Sequence, residues 1–110
     1  MNITIYQNAG GRAAEYWDTL NDTRLKYLAG DLHQYAISND EIQEAVDRAV
    51  KVCKATGIPI RENFKPVFVC RNHEIEQDWR LSPLGRKLVM LNANPANPYV
   101  ARLQMELVNI

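Results

Sequence analysis

The sequence predicts an α+β fold: four to five helices packed with a β-hairpin, which a short N-terminal strand can join. Three observations lead there. Apolar residues recur at helical spacing over 39–56, the period switches to two over 64–81, and Ser82-Pro83 and Asn97-Pro98 each restart a helix. With 110 residues, 46% of them hydrophobic and 24% charged, the chain has the size and balance of a single domain spanning 1–110.

Taken in order, Ile3-Thr4-Ile5-Tyr6 alternates like a short strand and Asn8-Ala9-Gly10-Gly11 reads as a turn. Ala13, Tyr16, Trp17 and Leu20 suggest a helical stretch. Leu25, Leu28, Leu32 and Tyr35 follow the helical step, so a helix is expected over Arg24–Ile37, with Asn21 or Asp22 capping it and Gly30 weakening it. Ser38 then links it to the next helix, and so short a link forces a sharp crossing.

The helix over Asn39–Thr56 is the clearest element. Ser38-Asn39-Asp40-Glu41 reads as a capping box. Ile42, Ala45, Val46, Ala49, Val50 and Cys53 form one apolar face. Acidic residues open the helix, and Lys51 and Lys54 close it, as the helix dipole favours. Gly57 supplies a left-handed stop, and Pro59 forbids continuation.

Phe64–Arg71 and Ile75–Leu81 alternate with period two around the polar Arg71-Asn72-His73-Glu74, which reads as a β-hairpin. Ile75, Trp79 and Leu81 share one parity, and Glu76, Asp78 and Arg80 the other. Ser82 caps the next helix with Pro83 at its first position, and Leu84, Leu88, Val89 and Leu91 are its apolar face. Asn92-Ala93-Asn94-Pro95 ends it. The last helix starts at Asn97-Pro98 and turns Val100, Leu103 and Leu107 to the core.

No chemistry of catalysis announces itself. His33 neighbours Asp31 in sequence, but residues this close do not share a helix face. His73 sits in a turn. Asn8-Ala9-Gly10-Gly11-Arg12 lacks the Lys-Ser/Thr pair of a phosphate-cradling loop. Glu74, Glu76 and Asp78 alternate along one strand, a pattern read as the wet face of a ribbon before it is read as a cation site. Cys53 and Cys70 lack metal-ligand spacing and read as buried, reduced thiols. Phe64, Phe68 and Trp79 read as core aromatics, while Tyr16 and Trp17 are stacking candidates. The chain is therefore expected to be non-enzymatic, with no cofactor and no metal. The first residues lack a secretory signal and no apolar run reaches membrane-span length, so the expected location is the cytoplasm, away from any membrane.

Charge placement says more. Net charge is zero, which excludes a cationic histone-like tail or an acidic solvating chain. Yet residues 1–47 carry a net −5 and residues 48–110 a net +5. Arg71, Arg80, Arg86, Lys87 and Arg102 are the candidate contacts to phosphates or to an acidic partner. A ribbon tip beside a helix start can meet a phosphate backbone.

The order of several short motifs resembles the bacterial DNA-damage-inducible protein D family. These are Ala49-Val50-Lys51-Val52-Cys53-Lys54-Ala55-Thr56-Gly57, Glu62-Asn63-Phe64, Leu81-Ser82, Asn92-Ala93-Asn94-Pro95, and Val100-Ala101 with Gln104. More distantly, the pattern resembles N-terminal domains of phage antirepressor and baculovirus-repeat-type proteins. The likeness runs from about residue 25 to 108 and departs from the family pattern at Asn63, Pro83, Ala93-Asn94 and Glu106-Leu107. It implies a prokaryotic or prophage protein tied to DNA damage and repair, and no catalysis.

Two functions are expected. The first is a small module that binds DNA, or a DNA-repair or recombination protein, through the basic half. The second is a protein-interaction or homodimer module built on the last helix, where Met105, Leu107, Val108 and Ile110 exceed one apolar stripe.

Overall fold

A computed structural model describes residues 24–109. Their elements are β1 (Tyr27–Leu28), a 3-10 helix (Ala29–Tyr35), α1 (Asn39–Thr56), β2 (Phe64–Arg71), β3 (Glu74–Leu81), α2 (Pro83–Asn92) and α3 (Pro98–Val108). The fold is α+β. Among the described residues the sheet has three antiparallel strands in the order β1-β3-β2. The strand expected at Ile3–Tyr6, the helical stretch over 13–20, and Tyr16 and Trp17 lie outside the described residues.

α1 forms where the sequence places it. Ser38 accepts at its hydroxyl from the Glu41 N–H, and Gly57 closes the helix at φ 74°, a conformation glycine adopts at no steric cost. Ile42, Ala45, Val46, Ala49 and Cys53 are buried. They join Phe64 and Leu81 of the sheet, Val89 and Met90 of α2 and Val100 of α3 in one apolar cluster. Each large aliphatic side chain buried there contributes about 2 kcal/mol.

The hairpin is tighter than the polar run suggested. Arg71 pairs with Glu74, leaving a two-residue turn of Asn72 and His73 at φ 52° and 66°. Positive φ at both turn residues is the primed geometry that matches the twist of paired strands. α2 starts as expected, with the Ser82 hydroxyl accepting from the Gly85 N–H and Pro83 in the first turn. Asn97 caps α3, its side chain accepting from the Tyr99 and Val100 N–H groups. Its amide also donates to the Tyr35 carbonyl, tying α3 to the 3-10 helix. The Gln104 amide nitrogen lies 3.0, 3.3 and 3.0 Å from the carbonyls of Met90, Leu91 and Ala93, so this side chain completes the C-terminal end of α2.

Five expectations are corrected. The helix over Arg24–Ile37 is instead a strand followed by a 3-10 helix. Tyr27 and Leu28 pair with Leu81 and Arg80, so the sheet edge claims these residues before a helix can form. On α2, Leu84 and Leu91 are exposed, while Gly85, Val89 and Met90 face the core. Phe68 is exposed, on the ribbon face opposite the buried Val67 and Val69, and Cys70 is only half-buried, unlike Cys53. Finally, the ribbon face carrying Glu76 and Asp78 is not simply wet, since Asp78 is only 4% exposed.

Candidate functional site

Opposite charges are sorted along α1, about 27 Å long at 1.5 Å per residue. Asp40, Glu41, Glu44 and Asp47 occupy its first half, and Arg48, Lys51 and Lys54 its second. The rest of the fold extends this polarity. The start of α1 faces the outer part of the hairpin across a cleft of about 260 Å³ bordered by Asp40, Gln43, Arg71, Glu76, Asp78 and Trp79. The loop after α1 carries Asn63 to the base of the hairpin. There Ser82 donates its hydroxyl to the Asn63 side chain at 2.6 Å, and its N–H to the Asn63 carbonyl at 3.1 Å.

At the acidic end, Asp78 organises the cleft. One carboxylate oxygen accepts from the Gly30 N–H at 2.9 Å and the Trp79 N–H at 2.7 Å. The other accepts a short charge-assisted bond from Arg71. Arg71 also pairs with Glu76 at 3.8 Å. A Cβ on residue 30 would lie 2.5 Å from both the Arg71 guanidinium and the Asp78 carboxylate, so only glycine admits this pair. The Trp79 indole N–H donates to Gln43 at 3.0 Å, and Gln43 donates to Asp47 at 2.9 Å. The cleft is thus built from mutually satisfied polar groups. His33 borders it, donating from Nδ1 to the Ile37 carbonyl at 2.9 Å, whereas Asp31 and Glu74 are exposed and do not line it. Among the described residues no three His, Cys, Asp or Glu side chains gather as a metal-ligand set.

At the opposite end, cations gather from three parts of the chain: the segment before β1, β3 and α2. Arg24 and Lys26 border a groove of about 520 Å³ together with Glu62, Ser82, Pro83 and Leu84. Arg24 pairs with Glu62 at 3.7 Å, with both side chains partly exposed, so the pair contributes little to stability. Arg80 donates to the Leu25 carbonyl at 3.4 Å, which brings β3 against this segment. The Arg86 guanidinium lies 4.9 Å from the centre of the Tyr27 ring, a cation–π contact, and Lys87 beside it is exposed.

Of the five candidate contacts, Arg80 and Arg86 therefore come together against the 24–27 segment, Lys87 is exposed on the next position of α2, and Arg71 stands apart. Arg71 lies at the other end of the hairpin. Its partner Glu74 is six residues before Arg80 along β3, roughly 20 Å at 3.4 Å per residue. There two carboxylates hold its guanidinium. The ribbon tip and the start of α2 thus belong to opposite ends of β3 and cannot form one surface. Arg102 is exposed on α3. Sequence reasoning missed Arg24 and Lys26, which belong to the acidic half by position but to the basic end in space. Reading Lys26-Tyr27-Leu28 as a strand beside Arg80 and Leu81 is the signal that finds them.

Burial pushes the Cys53 thiol above its ordinary range, which keeps it protonated and inert. Among the described residues no helix is long and apolar enough to cross a membrane. Comparison with protein-family models, with curated proteins and with solved structures finds no match.

Proposed function

We propose that this chain is a non-catalytic module that binds DNA through its basic end. One observation carries the reading: Arg24, Lys26, Arg80 and Arg86 converge around the start of α2, where Lys87 is exposed, with Glu62 as a neighbouring carboxylate. Lysine and arginine side chains arranged on one side neutralise phosphates and release condensed counterions. The exposed Lys26 and Lys87 are suited to that role. Arg86, held over Tyr27, presents its planar donors in a fixed direction. The hairpin tip, with Glu74, Glu76 and Asp78 around Arg71, repels phosphate and orients the molecule with that end outward. The likeness to the DNA-damage-inducible protein D family supports the same reading and a prokaryotic or prophage setting.

The test is a fluorescence-anisotropy titration of a duplex oligonucleotide at several salt concentrations. Lys26→Ala and Lys87→Ala each lower the slope of log K against log salt by about one, while Arg71→Ala leaves it unchanged. No binding at low salt, or a slope indifferent to Lys26 and Lys87, overturns the proposal.

A further inference from the structure

We infer that α3 pairs antiparallel with α3 of a second copy of this chain, across a two-fold axis at the level of residues 104–105. The helix is thinly held by its own fold. Val100 is its one buried residue among those described, with Leu103 and Leu107 packed partly against the core. Its outward side leaves Met105 59% and Val108 69% exposed. Apolar surface concentrated on one helix face marks an interaction site.

The charges on that face identify the partner. Arg102 and Glu106 stand one turn apart, both exposed, and among the described residues neither makes an ion pair. Turning the helix end for end about the two-fold axis sets Arg102 opposite Glu106 of the second copy, and Glu106 opposite its Arg102. The same operation sets Met105 beside Met105 of the second copy and Ala101 beside its Val108. At about 100° per residue, Arg102 and Glu106 lie on one flank of the outward face, and Ala101, Met105 and Val108 on the other. A two-fold axis perpendicular to both helices maps each flank onto itself, so the charged seam and the apolar seam close in one register. A parallel arrangement would instead set the charged flank of each helix against the apolar flank of the other. The face is neutral overall, so it competes poorly for phosphate, and the inference stands whether or not the basic end binds DNA.

Sedimentation equilibrium of the full chain over a wide concentration range tests this, and the expected species is a dimer. Glu106→Arg and Arg102→Glu, each reversing two symmetry-related contacts, weaken association by about tenfold or more. Combining both substitutions restores it, because the swapped charges face each other again. A cooperative thermal melt and an unchanged far-ultraviolet circular dichroism spectrum confirm that each variant is folded, with the lower melting temperature that loss of the dimer brings. A monomer at every concentration overturns the inference. So do single reversals that leave the dimer intact, or a double variant that stays monomeric.

Discussion

Asp78 shows how much of this molecule turns on single groups. Its carboxylate joins the 3-10 helix, β2 and β3 through Gly30, Arg71 and its own strand. An Asp78→Ala substitution strands two backbone N–H groups and removes the counter-charge of Arg71. It should lower the unfolding free energy by about 3 kcal/mol in a urea titration. Asp78→Asn keeps an acceptor for the N–H groups and should cost less. None of this was legible in the sequence, where Asp78 alternates with Arg80 and Glu76 as a solvated residue does. A buried carboxylate is recognisable only once its donors are placed, and two of the three donor residues lie outside its own strand. Gly30 was visible as a residue that disfavours a helix, but its reason is the close approach of a charged pair, set by residues 41 and 48 positions away.

Elements whose signals are local were legible. α1 carries its cap, its apolar stripe and its stop within 20 consecutive residues, and Ser38, Ile42 to Cys53 and Gly57 do what their types imply. The hairpin and both proline-led helix starts follow from equally short signals. Elements decided by distant partners were not. Tyr27 and Leu28 form a strand because β3 offers an edge, overriding a helical spacing of leucines. The α2–α3 corner depends on Gln104, which the order of motifs marked without showing what it holds. Gln104→Ala removes the donor shared by three carbonyls at the end of α2. Amide hydrogen exchange should then accelerate in α3 and the last turn of α2, while α1 keeps its protection.

For the whole molecule, the split in charge between the two sequence halves anticipated a polar object but drew its boundary in the wrong place. Arg71 crosses to the acidic end, and Arg24 and Lys26 to the basic one, because the antiparallel hairpin carries the chain out and back. A neutral body with separated ends feels no net pull in a uniform field, yet it feels a torque. Near a polyanion such a body turns its cationic pole inward before it touches, so fewer encounters are wasted on the wrong orientation. Moving charge without changing its total exposes this effect. A Lys26→Glu variant combined with Glu41→Lys stays neutral, and its association rate with duplex DNA in stopped flow should fall severalfold at low ionic strength and converge with the unsubstituted chain's as salt screens the field.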